Sequence, residues 1–145
     1  MWKRARRRLG SKIIVLEVNT GRDLEGLLAM AVQRGVRALL VGNDPFINSQ
    51  AQQLITLAAR YEVPAMYGLR KYVETGGLIS YSTSLPESAR QAGTYVGRIL
   101  KGEKPSQLPV VQPTKFELVI NLKTAKALGL SVPQTLLVAA HQALE

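Results

Sequence analysis

The sequence predicts an α/β fold with a mainly parallel sheet flanked by helices. Short apolar runs alternate with segments whose apolar residues recur every three or four positions, which are the patterns of buried strands and amphipathic helices. The connections between them are short, which favours right-handed crossovers between parallel strands. A chain of 145 residues is long enough to build one such domain around its own core.

The first strand and helix are predicted at the start of the chain. The β-branched, apolar run Lys12–Val18 predicts a buried strand. Thr20 and Asp23 then resemble a capping box, with Thr20 accepting from a first-turn amide. Apolar residues follow at helical spacing until Gly35, which is a typical helix end.

Three further strands follow. Ala38–Val41 leads into a helix near Ser49–Arg60, and the strand Val63–Tyr67 begins two or three residues later. After a turn or two of helix, Leu78–Tyr81 is predicted as a fourth short strand. We expect at least the first three strands to be parallel.

The C-terminal part predicts one long helix, a last strand and two more helices. The long helix begins at Ser84 with Glu87 completing a capping box, and it ends near Lys101. We expect its apolar positions to be buried, namely Ala89, Ala92, Val96 and Ile99 or Leu100. Two helix glycines, Gly93 and Gly97, predict close packing against another backbone. A strand, a capped helix and a final helix follow, at Phe116–Ile120, at Leu122–Leu128 after Asn121, and from Ser131 to Glu145.

Charge and composition exclude some classes of protein. There is no Cys for disulfides, and no apolar stretch is long enough to span a bilayer. The net charge is +9, but five of the nineteen basic residues lie in Lys3–Arg8. This run fits the basic face of a helix, Trp2–Leu9, ended by Gly10; an arm for nucleic acid or an anionic membrane contact are the alternatives. No secretory signal is predicted, because Glu17 directly follows the apolar Ile13–Leu16.

The sequence carries no motif for catalysis or cofactor binding. A nucleophile elbow, a Walker A loop, a dinucleotide-binding glycine pattern and a cluster with metal-ligand spacing are all missing. The only histidine, His141, is expected on the surface of the last helix. We therefore predict a protein that is not an enzyme and that needs no cofactor or metal.

The loops at the carboxyl ends of the strands form the predicted binding site, because ligands of open parallel sheets bind there. A carboxylate in these loops can accept from an ammonium group, a guanidinium can bind a carboxylate, and aromatic rings can stack on a ligand. The candidate residues are Asn43, Asp44, Phe46, Tyr67, Arg70 and Tyr81. The alternative is that Asn43 and Asp44 only shape the turn and cap the next helix, and that the aromatic rings are edges of the core.

Five stretches carry a resemblance to a known family: Gly35–Phe46, Leu57–Tyr67, Gly76–Tyr81, Gly93–Pro105 and Leu108–Leu130. Together they span nearly the whole chain and closely resemble ABC transporter substrate-binding proteins of the tryptophan/tyrosine-binding type. The resemblance implies a type I periplasmic binding protein, whose two α/β lobes close on a small ligand and deliver it to a permease and an ATPase. The implied ligand is a small organic solute such as an amino acid or an aromatic compound.

The chain resembles only the C-terminal lobe of such a protein. Helix 85–101 is expected to belong to the missing N-terminal lobe, and without that lobe we expect it to mediate homo-oligomers or to repack on the sheet. The resemblance implies a periplasmic location, or a cytoplasmic one if the chain is expressed as it stands, without a signal peptide. The alternatives are a small basic α/β protein that binds nucleic acid or another polyanion through its Arg-rich N-terminus, and a truncated paralogue without function.

Overall fold

The structure, a computed structural model, describes residues 12–145. The predicted helix Trp2–Leu9 and the basic run Lys3–Arg8 lie outside the described residues. The helices are α1 Asp23–Gln33, α2 Pro45–Ser49, α3 Ala51–Arg60, α4 Arg70–Glu74, α5 Leu85–Leu100, α6 Leu122–Ala127 and α7 Gln134–Ala139, and a short 3-10 turn spans Pro105–Gln107. The strands are β1 Leu39–Leu40, β2 Ala65–Tyr67, β3 Ile79–Thr83, β4 Phe116–Asn121 and β5 Gln142–Leu144. No helix between residues 12 and 145 is long and apolar enough to cross a membrane.

The five strands form one sheet in the spatial order β1-β2-β3-β4-β5. The first three are parallel, with Leu39 opposite Ala65 and Met66 opposite Ile79. β4 runs antiparallel to β3 and parallel to β5. The mainly parallel α/β fold predicted from the sequence is therefore confirmed.

A large part of the core lies between α3 and the sheet. Apolar side chains of α3 pack with β2 and α4 in a buried cluster made of Ile55, Ala58, Ala65, Tyr67 and Tyr72. The other side of α3 packs against α1 through Leu57, Leu24 and Leu28. Helix α3 thus contacts both the sheet and α1, and Leu39 of β1 packs against both clusters.

The strand predicted at Lys12–Val18 is wrong, because the structure assigns no strand there. A β-branched sequence favours extended backbone, but a strand also needs a neighbouring ladder with which to pair. The first strand of the sheet is instead β1, which consists of Leu39 and Leu40 alone. Val18 packs instead through its side chain against the cluster of Leu24.

The ends of the first helices differ in detail from the predicted caps. The Asp23 carboxylate accepts from the backbone N–H of Thr20 at 3.1 Å, as a capping box requires. However, the Thr20 hydroxyl donates to the same carboxylate at 2.8 Å and does not accept from an amide. Gly35 follows the helix with a φ of +77°, as expected for a glycine at a helix end. The helix predicted near Ser49–Arg60 is α3, Ala51–Arg60, and a separate short helix that was not predicted, α2, precedes it.

The long helix α5 has the predicted length but not the predicted burial. None of its residues is buried, and Ala89, Ala92, Val96, Ile99 and Leu100 are all exposed. A methyl group added at Gly93 or Gly97 would meet nothing within 4 Å, so the expected close approach of another backbone is wrong for the described chain. Repacking of this helix on the sheet, one of the two expected outcomes, is therefore also not observed.

The final helix predicted to reach Glu145 is wrong beyond Ala139. The backbone N–H of His141 donates to the Leu118 carbonyl at 2.8 Å, and the Leu118 N–H donates to Nδ1 of His141 at 3.3 Å. These bonds bring the chain beside β4, where Gln142–Leu144 form β5. The free edge of β4 offers unpaired backbone groups, and pairing with them replaces the last helical turns.

Candidate functional site

The loops after β1, β2 and β3 meet at one edge of the sheet, because these three strands are parallel. The loops after β1 and β2 are in close contact: a Cβ added to Gly68 would lie 3.1 Å from the Asn43 Cβ. A larger residue at position 68 would push the two loops apart. Asn43, which follows β1, and Gly68, which follows β2, thus form a close junction between the two loops.

The polar pair Asn43 and Asp44 shapes the first of these loops. Oδ1 of Asp44 accepts from the backbone N–H groups of Phe46 at 2.9 Å and Ile47 at 3.2 Å, which makes Asp44 the N-cap of α2. Oδ1 of Asn43 accepts from Nδ2 of Asn48 at 2.8 Å. The capping alternative is thus what the structure shows. Both side chains remain exposed, so they can still meet a ligand with their other polar atom.

Phe46 is the aromatic residue of the same loop. It lies in the first turn of α2 and is 36% exposed. A ring that is held at a helix start and keeps a third of its surface in water can add an apolar contact at the rim of a site.

Tyr67, another predicted site residue, lies in the core beneath the edge. Its side chain is only 2% exposed, and its ring stacks on Tyr72 with centroids 4.5 Å apart. Burial, with a smaller contribution from Tyr72, raises the pKa of Tyr67 to about 12. The ring is therefore part of the core beneath the site.

Tyr72 is a residue of this region that the sequence analysis missed. Its hydroxyl lies 3.2 Å from the Ile47 carbonyl and 3.0 Å from Oδ1 of Asn48. It therefore ties α4 to α2, and through Asn48 to Asn43. Nothing in the local sequence distinguishes this tyrosine from a surface residue of a short helix; only the fold brings α2 above it.

Arg70 opens α4 and is already paired. Its Nε donates to Oε1 of Glu74 at 2.6 Å, its Nη2 donates to Oε1 of Gln142, and its Nη1 lies 3.9 Å from Oε2 of Glu117. The side chain is 40% exposed. A ligand carboxylate at this guanidinium would therefore have to replace one of two protein carboxylates.

Tyr81 lies on the face of the sheet opposite to the one that faces Arg70. Its ring stacks on Phe116 with centroids 5.4 Å apart and an interplanar angle of 12°, and the two residues are 49% and 40% exposed. Phe116 was missed as a site residue because the antiparallel pairing of β3 with β4, which places Thr83 opposite Phe116, cannot be read from the sequence. The pair forms an exposed aromatic platform at the edge.

The edge is therefore shared by two groups of side chains. Glu117, which faces Arg70, follows Phe116 directly in β4, and successive residues of a strand point to opposite faces. The aromatic platform and the Arg70 cluster thus lie on the two sides of the same edge. A ligand seated across the edge can meet both groups, whereas a ligand lying on one face can meet only one.

A pocket of about 300 Å³ lies next to this edge, between α5 and the segment 111–115. Its lining includes Ser84, Ser88, Gln91, Tyr95, Gln112 and Lys115, and none of the six predicted site residues. The backbone N–H of Ser84 donates to the Lys115 carbonyl at 3.2 Å, so the chain leaves and re-enters the sheet through two adjacent segments. Within residues 12–145 there is no group of acidic or histidine side chains that could hold a metal ion.

Comparison with known proteins shows to which family the sequence is similar. The family described as ABC transporter substrate binding protein matches residues 1–144. No curated protein is similar enough in sequence to count as a relative. Solved structures with a similar fold include the following three, and each is more than twice as long as the part that matches.

A conserved domain protein from Vibrio cholerae is 23% identical, with a TM-score of 0.87 over 97% of this chain and 47% of its own. An ABC domain in complex with L-Trp from Streptococcus pneumonia is 24% identical, with a TM-score of 0.86 over 99% of this chain and 49% of its own. The ligand-free, open structure of a substrate binding protein with adhesive properties from Clostridium difficile is 22% identical, with a TM-score of 0.68 over 92% of this chain and 45% of its own.

The chain thus spans about half the length of the solved structures it matches, and at these identities they show the fold alone. The family match is independent of them and covers all but the last residue of the chain. The α/β sheet of this chain, with polar and aromatic loops at the carboxyl ends of three parallel strands, agrees with that family match. The chain belongs to the ABC transporter substrate-binding protein family.

Proposed function

We propose that this chain is the solute-binding C-terminal lobe of an ABC importer's binding protein, and that it works outside the cytoplasm. Its solute is a small organic molecule, an amino acid or an aromatic compound, which is passed on to an ABC permease. The observation that carries this proposal is the family match over residues 1–144 together with an exposed aromatic platform at the ligand edge of the sheet. The complex of the Streptococcus pneumonia domain with L-Trp makes tryptophan the first ligand to test.

Each exposed candidate has a role in this proposal. The rings of Tyr81 and Phe116 offer a flat apolar surface to an aromatic side chain. Arg70 takes the ligand carboxylate by exchanging it for Glu74 or Glu117, which favours a ligand with a strong bidentate acid group. Asn43 and Asp44 face the ammonium group with the polar atoms that capping leaves unused, and Phe46 lies at the rim of the site.

We also propose that α5 belongs to a second lobe, as the family resemblance implies. In the described chain this helix buries no residue. Its connections to the sheet run through the adjacent ends of β3 and β4, where Ser84 and Lys115 are hydrogen-bonded. Two adjacent crossings of this kind are suited to a hinge, because the few residues at element ends can absorb a rotation.

The first experiment is a thermal-shift screen of the 145-residue chain against amino acids and aromatic acids, followed by calorimetry with L-tryptophan. Ligand that binds only the native state raises the midpoint of unfolding. Half a cleft leaves much of the ligand in water, so we expect binding in the range of about 10 μM to 1 mM. A panel without any shift or heat of binding would overturn the proposed function.

Two variants locate the site. Tyr81→Leu removes half of the aromatic platform and is expected to weaken tryptophan binding about tenfold, in line with the energy of an aromatic stack. The matched control is Tyr61→Leu, because Tyr61 lies at the end of α3, four residues before the start of β2 at Ala65, on the opposite edge of the sheet. Equal losses in both variants would show that the ligand binds elsewhere.

A further inference from the structure

Hydrogen bonds join three polar side chains from the core to the ligand edge of the sheet: Tyr72 of α4, Asn48 of α2 and Asn43 in the loop after β1. The Tyr72 hydroxyl lies 3.0 Å from Oδ1 of Asn48, and Nδ2 of Asn48 donates to Oδ1 of Asn43 at 2.8 Å. Tyr72 is buried, Asn48 is half-buried and Asn43 is exposed, so the bonds lead outward from the core. We call these three side chains the amide relay.

The buried end of the amide relay sets the direction of its hydrogen bonds. Both neighbours of the Tyr72 hydroxyl, the Ile47 carbonyl at 3.2 Å and Oδ1 of Asn48 at 3.0 Å, are acceptors, so this hydroxyl is the donor. Burial raises the pKa of Tyr72, which keeps the proton on the hydroxyl near neutral pH. Because an amide carries its oxygen and its nitrogen on separate branches, Asn48 turns its Nδ2 away from Tyr72 and toward Asn43.

The outer end of the amide relay determines which atom Asn43 presents at the edge. Its Oδ1 is used by Asn48, and within residues 12–145 no side-chain hydrogen bond uses its Nδ2. The side chain is also held in place by the loop after β2, since Gly68 lies so close that a Cβ there would be 3.1 Å from the Asn43 Cβ. Asn43 therefore offers an N–H donor at the edge, beside Asp44, whose Oδ2 is not used by the cap of α2.

We propose that Tyr72 and Asn48 are positioning residues of the solute site, which orient the Asn43 amide so that its Nδ2 donates to a carboxylate oxygen of the solute. These roles rest on the solute binding proposed above and refine it. An amide nitrogen cannot accept from an ammonium group, so Asp44 alone binds the ammonium, and Asn43 binds the carboxylate beside it. The preferred solute is therefore an α-amino acid, which carries both groups on one carbon atom, rather than an amine without a carboxylate.

The amide relay favours this orientation before any solute arrives, which lowers the cost of binding. Reversing the Asn43 amide also requires reversing Asn48, because two amide oxygens cannot hydrogen-bond to each other. The reversed Asn48 would place its Nδ2 at the Tyr72 hydroxyl, which would then have to donate to the Ile47 carbonyl alone, at the longer distance of 3.2 Å. The donor at the edge is thus coupled to a hydroxyl in the core.

Hydrogen exchange of the side-chain amides, measured by NMR, tests the orientation without any ligand. The Asn48 amide is expected to exchange about two- to tenfold more slowly than the Asn43 amide, the factor that one neutral hydrogen bond supplies. Asn48→Asp offers Asn43 an oxygen in place of a donor, so the Asn43 amide is expected to turn over and become protected. Ser49→Asp is the matched control, because it adds the same charge at the adjacent, exposed residue of α2 and is expected to leave the exchange of Asn43 fast.

Calorimetry with L-tryptophan and with tryptamine, which lacks the carboxylate, tests the consequence for the solute. The unmodified chain is expected to bind L-tryptophan at least about tenfold more tightly than tryptamine. Tyr72→Phe is expected to weaken L-tryptophan binding about two- to tenfold and to leave tryptamine binding unchanged, whereas a loss of structure alone would weaken both. The matched control is Tyr67→Phe, which removes the hydroxyl of the ring stacked on Tyr72 and is expected to change neither affinity. Asn48→Asp is expected to weaken L-tryptophan binding about tenfold while tryptamine binds at least as tightly as before.

Three outcomes would overturn these roles: a protected Asn43 amide in the unmodified chain, equal losses of both ligands in Tyr72→Phe, or an unchanged ligand preference in Asn48→Asp. Thermal unfolding shows whether each variant keeps the fold, and if Tyr72→Phe does not, the pair Asn48→Asp and Ser49→Asp decides. If the unmodified chain binds neither ligand, the proposed solute binding fails, whereas the exchange pattern still decides the orientation of Asn43. Failure of the amide relay and failure of solute binding are therefore separate results.

Discussion

Replacing Gly77 with alanine is expected to destabilise the fold by about 1–3 kcal/mol, the usual cost of overpacking a core. The added Cβ would lie 2.7 Å from the Tyr67 ring and 2.7 Å from the Tyr72 carbonyl oxygen, whereas carbon atoms prefer separations near 3.5–4.0 Å. The φ of Gly77 is not in the left-handed region, so crowding rather than backbone strain sets this cost.

Neither neighbour of Gly77 can move away cheaply. The backbone N–H of Gly77 donates to the same Tyr72 carbonyl at 2.7 Å, which fixes the backbone on that side. On the other side, the Tyr67 ring is buried and stacked on Tyr72. Relief of the clash therefore costs either a hydrogen bond or an aromatic stack.

Gly97→Ala is the matched control, since it adds the same methyl group inside α5, three residues before its end, where no neighbouring group lies within 4 Å. Alanine is the better helix former, and this variant is expected to gain up to about 1 kcal/mol. Urea unfolding followed by circular dichroism, at one protein concentration, measures both variants as shifts of the midpoint at constant slope. If Gly77→Ala unfolds within about 0.5 kcal/mol of the unmodified chain, the tight packing of Gly77 is refuted.

Three further predictions concern single side chains. Between pH 10 and pH 12 the free energy of unfolding is expected to fall by about 2–3 kcal/mol. Burial raises the pKa of Tyr67 to about 12, so the unfolded chain releases this proton at a lower pH than the folded chain does. Urea midpoints measured against pH should lack this part of the fall in Tyr67→Phe. Asp44→Ala is expected to cost about 1 kcal/mol in urea unfolding, because two amides of α2 lose their cap, while Asp44→Asn should cost little. A loss of ligand affinity in Asp44→Asn without a loss of stability would show that its second oxygen contacts the solute. Asn121→Ala is expected to cost about 1–3 kcal/mol in urea unfolding, since Asn121 caps α6 and also donates to the Val73 carbonyl at 3.2 Å. Asn121→Asp keeps only the cap. An unfolding midpoint of Asn121→Asp equal to that of Asn121→Ala would exclude the capping role.

The elements that the sequence predicted best are those fixed by local chemistry. Gly35 ends α1 and Asn121 caps α6, as predicted. The strand that ends at Tyr67 and the helix after Ser84 also lie near their predicted positions, although the Ser84 side chain makes no capping bond. Each of these depends on a few adjacent residues, whose backbone preferences or capping bonds act within one turn. The family resemblance, confirmed over residues 1–144, likewise depends on order along the chain alone.

The elements that failed depend on what lies across the fold. Lys12–Val18 has the composition of a strand but no ladder beside it, and Gln142–Leu144 became a strand because β4 offered a free edge. The candidate site divides in the same way: Asn43, Asp44 and Phe46 form one loop by sequence adjacency, whereas the core position of Tyr67 and the stack of Tyr81 on Phe116 follow from register.

The sequence by itself determined the family, the α/β class and the loops in which polar and aromatic residues follow parallel strands. Tertiary structure decided which of those side chains stay in water, because alternate residues of a strand face opposite sides and a shift of one residue would exchange them. It also decided that the apolar stripe of α5 stays uncovered by the described residues. Periodicity shows that a helix has an apolar side, but only the position of the other elements shows whether anything covers it.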